Sequence, residues 1–595
     1  MRITDAWAAA GDRQSAAVQK WKLSTKWGEK INPDHVLSEY PRPQLRRENW
    51  ICLNGIWKYA FTKKPTRPEH PEGEILVPFS PESRASGVER RLEPGHYLWY
   101  FRSVELKEIP EHKRLILHMG AVDQHCTVWW NGSVVGRHQN GYLAFSFDVT
   151  DYLKEGKNTI TVRVQDDSDE SCYSCGKQTL HPKGMFYTAQ SGIWQTVWLE
   201  WVPENHIEEL KITPLFDERC VRLEITLARP ERMEIQLFWE GDTFSHYVNK
   251  RDFDEKTGQY RRDIPLPGFR AWTPEDPFLY DLEIQAEEDV VRSYFAMRKF
   301  SVGTDEQKRP RLLLNNEPYF FNGVLDQGYW PESLYTAPDD QAMIFDIQKM
   351  KELGFNMIRK HIKVEPMRWY YHCDRLGMVV WQDMVNGGSR PNLFFVCYLP
   401  TIFPFLANKI KDRHYKLFSR SSKTGRRLWE EECMEQIRQL YNCPCIGMWI
   451  PFNEGWGQFD ALRVTEKIRK ADPTRQIDHA SGWFDQGGGD VKSVHNYFRK
   501  LRVKKDRRPF VLSEYGGYTY AVKDHIYSDQ VYGYRTYQSK EAFSEAFWEL
   551  QKKIELLVKK GLSGAVYTQV SDVEGELNGI YTYDRKICKL KEKDF

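Results

Sequence analysis

Two glutamates, each at the end of an apolar run and each followed by glycine-rich sequence, are the residues best suited to chemistry. Glu454 ends the run 446–453, and Glu514 ends the run 509–513. In a barrel of alternating strands and helices, a carboxylate where a buried strand enters its loop lies at the C-terminal rim, where the active sites of that fold are found. Two carboxyl groups facing one pocket can cleave a glycosidic bond. Either glutamate alone would more often cap a helix or pair with a basic residue, so the hypothesis depends on the pair.

The elements around these glutamates follow the alternation of strands and helices that a barrel requires. Between residues 303 and 595, eight strand candidates are separated in most cases by helical segments, and the natural interpretation is a (β/α)₈ barrel. The helix Asp339–Leu353, for example, carries Met343, Ile347 and Met350 at helical spacing. The strand candidates are 319–324, 355–358, 378–381, 446–450, 476–479, 493–495, 510–513 and 565–568.

The N-terminal half has short alternating strands and turns instead. The segments 97–102, 114–119 and 127–130 read as strands, and Asn131-Gly132 is a strong hairpin signal. We therefore predict a jelly-roll β-sandwich over residues 1–203. Residues 204–302 have the length and strand pattern of one immunoglobulin-like β-sandwich. The barrel is expected to occupy residues 303–595.

The composition excludes several classes of partner. The 595-residue chain has 83 acidic and 85 basic residues, a balance that argues against nucleic acid or an anionic membrane surface. No stretch reaches the ~20 apolar residues of a membrane span, and no secretory signal is visible, so we expect a cytoplasmic protein. Eleven scattered cysteines suit a reducing compartment.

Neither a metal site nor a cofactor site is predicted. Cys172 and Cys175 form a C-x-x-C, but no second pair stands at the distance that structural zinc requires. The apolar segment 393–407 contains Pro400 and Pro404 and is predicted to be a buried or interface loop, which would suit contact between identical chains.

The predicted barrel places further polar residues near the two glutamates. Glu454 ends strand four and Glu514 ends strand seven, so the pair can flank one bond, with Glu454 as acid/base and Glu514 as nucleophile. Asn453 could donate its amide to a sugar hydroxyl beside the reacting carbon. Tyr497 is placed to hydrogen-bond the nucleophile and keep it ionised, and His495 either binds a sugar hydroxyl or is structural.

Over nearly its whole length the sequence also resembles glycoside hydrolase family 2. The segment 40–57 looks like the opening of that family's sugar-binding sandwich, and 191–199 looks like its closing strand. Asn453-Glu454 matches the acid/base dipeptide, and 513–516 matches the nucleophile segment. The resemblance implies a retaining mechanism through a covalent glycosyl-enzyme intermediate, with Arg359 supporting the surroundings of the nucleophile.

Some positions depart from the better-known members of that family. Strand three ends in Asp383 where glutamate is common, and we expect Asp383 either to line the sugar pocket or, preferably, to form an ion pair with Arg359 or Lys360. The ion sites of the larger β-galactosidases find no clear ligand match here. The other candidates for contact with a carbohydrate substrate are Asp326, His361, Trp456, Gln569 and Glu576.

The comparison with that family also indicates which kind of sugar the site would accept. β-Glucuronidases of the family grip the substrate carboxylate with an Asn-x-Lys, whereas this chain has Glu576 and Asn578 at those positions. A carboxylate there would repel a uronate, which needs a charge-assisted partner. A neutral sugar, with β-galactose as first choice, is therefore predicted. A β-glucoside, β-mannoside, α-L-arabinoside or β-glucuronide stays open, as do transglycosylation and a non-catalytic carbohydrate-binding role.

Overall fold

The computed structural model describes residues 22–254, 256–529 and 531–591, and the N-terminal part of this chain forms a sandwich of two antiparallel sheets. Alternate side chains such as Leu115, Leu117 and Val162 are fully buried between the sheets, as half-buried strands require. The four-stranded sheet has the order Trp50–Cys52, Val197–Pro203, Lys113–Met119 and Phe145–Asp148. The six-stranded sheet has the order Gly73–Val77, Gly55–Thr62, Tyr97–Leu106, Gly156–Gln165, His125–Trp130 and Ser133–Gln139.

A second, smaller sandwich follows. Its strand Cys220–Leu227 buries every second residue, including Val221, Leu223 and Ile225. One sheet contains Ile207–Leu215, Cys220–Leu227 and Gln259–Pro265. The other contains Asp242–Val248, Met233–Trp239, Tyr280–Ala286 and Asp289–Phe295. A small antiparallel sheet of Phe300–Thr304, Pro310–Leu314 and Glu317–Pro318 leads into the C-terminal domain.

Eight parallel strands form the sheet of the C-terminal domain, which confirms the predicted barrel fold. Numbered by their position in the chain, the strands lie across the sheet in the order five, four, three, two, one, eight, seven, six. In the described residues no ladder joins strand five to strand six, and strand five is only two residues long. The strands are Phe321–Asp326, Met357–Lys360, Val379–Asp383, Ile446–Ile450, Gln476–Ile477, Lys492–Asn496, Phe510–Gly516 and Leu562–Thr568.

Five longer helices connect these strands. The side chain of Asp339 caps the first by accepting a hydrogen bond from the Gln341 amide at 2.7 Å. Ser422 and Ser539 cap the third and fifth helices in the same way. Among the described residues no helix is both long and apolar enough to cross a membrane. The five helices are Asp340–Glu352, Met367–Leu376, Lys423–Leu440, Ala461–Ala471 and Lys540–Val558.

The insertion after strand three, predicted to be a buried or interface loop, is helical. It forms consecutive short helical segments, Phe394–Tyr398, Leu399–Ile402 and Pro404–Ala407. Pro400 and Pro404 fit because each lies in the first turn of its helix, where a proline ring and a missing N–H are tolerated. Phe395 packs inward, whereas Phe394, Phe403 and Phe405 are exposed.

Candidate active site

Glu454 does not end strand four as predicted but lies in the following loop, four residues beyond Ile450. All five residues of Ile446–Ile450 are buried, so the strand is fixed beneath the rim. The backbone of Glu454 has a φ of 53°, in the left-handed region, and its amide donates to the Ser481 carbonyl at 3.0 Å. Such conformations are uncommon for residues with a side chain and cluster at functional sites. Gly455 follows with a φ of 74°, and a Cβ there would stand 2.4 Å from the Phe484 ring.

Glu514 does not end strand seven as predicted: the strand continues to Gly516, and Glu514 lies within it, almost completely buried. One carboxylate oxygen accepts a hydrogen bond from Arg359 Nη1 at 3.0 Å, and the other accepts one from the Tyr497 hydroxyl. Burial alone would raise the pKa of Glu514, but the neighbouring His495 and Arg359 side chains outweigh it and lower the pKa to about 2. The carboxyl is therefore ionised at neutral pH.

The two carboxyl groups face each other across His495. One oxygen of Glu454, one oxygen of Glu514 and a ring nitrogen of His495 all lie within 4.8 Å of one another. Retaining glycosidases hold their carboxyl groups about 5–5.5 Å apart, whereas inverting enzymes need about 6.5–9.5 Å to admit a water molecule. One oxygen of each carboxyl group therefore approaches the other more closely than the separation typical of inverting enzymes.

The guanidinium of Arg359 connects Asp383, Asn453 and Glu514 at the base of the site. Its Nε and Nη2 atoms pair with the two oxygens of Asp383 at 3.0 and 3.1 Å, which is the ion pair that the sequence favoured. Nη2 also donates to Asn453 Oδ1 at 2.8 Å, so the Asn453 amide nitrogen stays available to donate to a sugar. His361 adds a hydrogen bond from Nδ1 to Asp383 at 2.8 Å.

The site thus brings together most of the predicted residues, namely Glu454, Glu514, Asn453, Tyr497, His495, Arg359, His361 and Asp383. Asp326 instead pairs with Lys360 at 2.5 Å and accepts from the Gly328 amide, so its oxygens serve a buried ion pair. Trp456 packs edge-on against Phe186, with ring centroids 5.5 Å apart.

The predicted residues after strand eight form one connected chain of hydrogen bonds. Gln569 donates to Asn578 at 2.8 Å, and Asn578 donates to Glu576 at 2.9 Å. Glu576 also accepts from the hydroxyl of Tyr187, a residue of the N-terminal sandwich. Burial raises the pKa of Glu576, and the positive charge of Lys177 is the largest influence that lowers it.

Lys177 belongs to a loop of the N-terminal sandwich that the sequence analysis missed. The amides of Cys175 and Gly176 both donate at 3.0 Å to the carbonyl of Asn386, just beyond barrel strand three, so the loop lies against the barrel rim. Within the described residues the half-buried Lys177 has no hydrogen bond or ion pair, and its ammonium lies 5.9 Å from the centroid of the Tyr187 ring. Lys177 and the barrel residues that it approaches are far apart along the chain, so no local sequence pattern indicates their proximity.

Two further residues support the site from neighbouring loops. Tyr534 stacks on Tyr497 with ring centroids 3.9 Å apart and holds the phenol that contacts the nucleophile. Ser481 lies 3.1 Å from His495 Nε2. Neither residue follows an apolar run or a motif, so nothing in the sequence singled it out.

The same geometry defines where a cation could bind. Glu454, His495 and Glu514 form the one group in the described part of the chain whose three ligand atoms approach so closely. These atoms already contact one another at hydrogen-bonding distance or slightly beyond, with Nδ1 of His495 2.7 Å from Glu454 and Nε2 3.4 Å from Glu514. These side chains thus contact one another, and no metal is assigned to them.

A barrel with two facing carboxyl groups at its C-terminal rim, preceded by two β-sandwiches, has the architecture of multidomain glycoside hydrolases. The comparison with family models identifies which one. Residues 90–203 match the sugar-binding domain of glycosyl hydrolases family 2, and residues 306–592 match its TIM-barrel domain. Together the matches cover about two thirds of the chain, which belongs to glycoside hydrolase family 2.

Individual relatives are distant. A β-galactosidase from Leuconostoc mesenteroides is 25% identical over 427 residues, covering 65% of this chain and 37% of the relative. A β-galactosidase from Thermoanaerobacter pseudethanolicus is 23% identical over 465 residues, covering 73% and 56%. The chain thus spans roughly a third to just over half the length of these curated relatives. A solved β-glucuronidase from an uncultured Clostridium has a TM-score of 0.71 at 18% identity, covering 91% of this chain and 96% of that one, a similarity of fold.

Proposed function

We propose that this chain is an exo-acting retaining β-glycosidase that removes one terminal neutral sugar, with a β-galactoside as the first candidate substrate. The observation that carries the proposal is the separation of at most 4.8 Å between oxygens of Glu454 and Glu514. That distance suits direct attack by one carboxylate on the anomeric carbon. Membership in a family of glycoside hydrolases supports the same reaction class.

In the first step of this mechanism, ionised Glu514 forms a bond to the anomeric carbon while the bond from that carbon to the leaving oxygen breaks. Glu454 donates its proton to the leaving oxygen. The hydrogen bonds from Arg359 and Tyr497 keep Glu514 unprotonated and fix its orientation. The Asn453 amide is placed to hydrogen-bond a sugar hydroxyl beside the reacting carbon.

In the second step, Glu454 takes a proton from water, and the water oxygen forms a bond to the anomeric carbon. The bond between that carbon and Glu514 breaks, which returns both carboxyl groups to their starting protonation states. Two displacements at one carbon give net retention of configuration.

Two features support a neutral sugar. By the resemblance to the family, Glu576 stands at the sequence position from which its β-glucuronidases donate an amide to the substrate carboxylate. Both carboxyl oxygens of Glu576 already accept hydrogen bonds, from Tyr187 and from Asn578. The curated relatives reported above are β-galactosidases, which favours galactose among the neutral sugars.

Lys177 favours a second candidate, a β-uronide. Its ammonium lies in the barrel mouth without an ion-pair partner in the described residues, and its charge acts on both Glu514 and Glu576. A carboxylate on the sugar would supply the missing partner through a charge-assisted hydrogen bond. The lysine would then come from the sandwich instead of the loop after strand eight.

A panel of p-nitrophenyl glycosides tests both candidates. It contains the β-galactoside, β-glucoside, β-mannoside, α-L-arabinoside, β-glucuronide and β-galacturonide, each assayed with wild type and Lys177→Met. We expect kcat/KM to be highest for the galactoside, so that the ratio of kcat/KM for the uronide to kcat/KM for the galactoside lies below one. Lys177→Met should change this ratio by no more than about threefold, because a neutral sugar makes no charge-assisted bond with Lys177.

The second candidate gives a different pattern. A uronide-to-galactoside ratio above one, falling about 10–100-fold in Lys177→Met, would establish the uronide, since hydrogen bonds to charged groups contribute about 1.5–3 kcal/mol. Lys553→Met, an exposed change on the outer helix Lys540–Val558, is the matched control. Absence of nitrophenol release from every substrate would contradict the proposed hydrolase and favour a non-catalytic carbohydrate-binding protein.

A further inference from the structure

His495 stands between the two carboxyl groups with both ring nitrogens occupied. Nδ1 lies 2.7 Å from Glu454 Oε1. Nε2 lies 3.1 Å from Ser481 Oγ and 3.4 Å from Glu514 Oε1. The side chain has no exposed surface, so no nitrogen is left to bind a sugar hydroxyl.

The imidazole is also fixed in orientation by its surroundings. A Cβ at position 482 would stand 2.6 Å from the ring, so glycine is needed there for the imidazole to pack against the backbone. The Trp483 ring lies 5.7 Å away and the Tyr497 ring 6.4 Å away, centroid to centroid. Ser481 bonds the imidazole through its hydroxyl and the Glu454 amide through its carbonyl. Glu454 is therefore held at its backbone and at one carboxyl oxygen.

The second carboxyl oxygen of Glu454, Oε2, has different surroundings from Oε1. Oε2 has no hydrogen-bond partner among the described residues, and the Glu454 side chain keeps 14% of its surface exposed. A protonated carboxyl has one oxygen that can only accept and one that carries the proton. A donor at His495 Nδ1 would make Oε1 the accepting oxygen and place the proton on Oε2.

We infer that His495 is a positioning residue for the acid/base Glu454: Nδ1–H donates to Oε1, and Oε2 thereby becomes the oxygen that exchanges protons with substrate and water. Nε2 carries no proton in this arrangement: it accepts from the Ser481 hydroxyl, and Glu514 Oε1 takes its hydrogen bond from Arg359. Oε2 gives its proton to the leaving oxygen in the first step and takes one from water in the second, while His495 keeps the same proton throughout. The inference rests on the proposed function, since it concerns the proton donor of that reaction.

The test compares two replacements of His495 of nearly equal polarity, Asn and Gln, with the apolar Phe. The amide nitrogen of Asn lies close to the position of His Nδ1, whereas that of Gln lies close to His Nε2. His495→Asn therefore keeps a donor facing Glu454, and His495→Gln and His495→Phe remove it. Each variant is assayed by kcat/KM on a p-nitrophenyl glycoside and on the benzyl glycoside of the same sugar, because benzyl alcohol leaves only with a proton and nitrophenol needs little assistance.

We expect His495→Gln and His495→Phe to lose about 10–100-fold on the benzyl glycoside, as for a catalytic group displaced by about 1 Å, and about threefold or less on the p-nitrophenyl glycoside. His495→Asn should restore most of the benzyl activity. Glu454→Ala, which should show the same dependence on the leaving group and be partly rescued by azide, is the reference variant.

Equal losses on both glycosides, or a His495→Asn variant no better than His495→Phe, would overturn the positioning role. Thermal unfolding of all three variants shows whether a uniform loss reflects a weakened fold. Failure of the proposed function looks different, because wild type and Glu454→Ala would then show the same rate on the benzyl glycoside. The His495 inference would be overturned with it.

Discussion

Replacing Glu514 with glutamine is expected to reduce kcat by about 10⁴-fold or more, because loss of a nucleophile leaves only binding and electrostatic assistance. Glutamine keeps the size of the side chain and can still accept the hydrogen bond from Arg359, but its amide cannot attack the anomeric carbon. The measurement is nitrophenol release from the best substrate of the panel, by wild type and variant at equal concentration. Normal turnover in Glu514→Gln would rule out the nucleophilic role.

A matched control separates this loss from a general effect of removing a carboxylate. Glu549→Gln changes an exposed glutamate on the helix Lys540–Val558, where its partner Lys553 lies 3.8 Å away. We expect wild-type activity from that variant, since exposed ion pairs contribute about 0–1 kcal/mol and Glu549 lies outside the site.

The charge of Glu514 also gives stability a pH dependence. Its pKa is lowered in the folded protein from the ordinary 4.5 to about 2, so ionisation of Glu514 favours the folded state above about pH 4.5. That contribution is lost as the pH falls towards 2. Glu514→Gln lacks it, so the free energy of unfolding of wild type should fall relative to the variant between pH 5 and pH 2. A difference that stays constant over this range would contradict the lowered pKa.

Replacing Arg359 with methionine should be the most damaging change to the fold of the site. The guanidinium has no exposed surface and pairs with two buried carboxylates, Asp383 and Glu514. Burial would lower the pKa of Arg359, but these two carboxylates raise it, so the group stays charged. Removing one partner of a buried ion pair costs about 3–5 kcal/mol, since the remaining charges lose their compensation.

Arg427→Met is the matched control for this prediction. Arg427 pairs with Glu431 on the exposed face of the helix Lys423–Leu440, with their atoms 2.7 Å apart. An exposed pair at this helical spacing contributes about 0.3–0.5 kcal/mol. Urea unfolding should therefore give a much lower midpoint for Arg359→Met and nearly the wild-type midpoint for Arg427→Met. Equal midpoints would show that the buried network contributes little to stability.

Activity provides a second measure of the Arg359 network. Arg359→Lys retains a positive charge but loses the planar fork that pairs with both oxygens of Asp383. We expect this variant to be more stable than Arg359→Met and still impaired in kcat, because one ammonium cannot contact Asp383, Glu514 and Asn453 at once.

The sequence was sufficient to predict the barrel and its two central carboxylates, for a physical reason. Parallel strands buried on both faces appear as continuous apolar runs, so a carboxylate that ends such a run is visible without a structure. Glu454 and Glu514 both follow this rule, and the eight strand candidates all correspond to strands of the sheet. The pairing of Asp383 with Arg359 was the preferred of two expectations, and it forms because strands two and three are neighbours.

Other parts of the site depend on contacts that no local pattern encodes. Asp326 was expected to touch the sugar, yet its neighbour on strand two, the fully buried Lys360, requires a carboxylate partner and takes it. Lys177 reaches the barrel mouth only because a loop of the N-terminal sandwich packs on the rim. The role of His495 depends on which ring nitrogen faces Glu454, which is a property of side-chain geometry alone.

The most direct measurement is the configuration of the sugar first released from the β-glycoside that the panel identifies as substrate. Proton NMR in D₂O, recorded before the product mutarotates, distinguishes the two anomers. Carboxyl oxygens within 4.8 Å of each other predict that the β-anomer appears first and the α-anomer follows by mutarotation. Release of the α-anomer first would mean inversion by a water molecule and would contradict the nucleophilic role of Glu514.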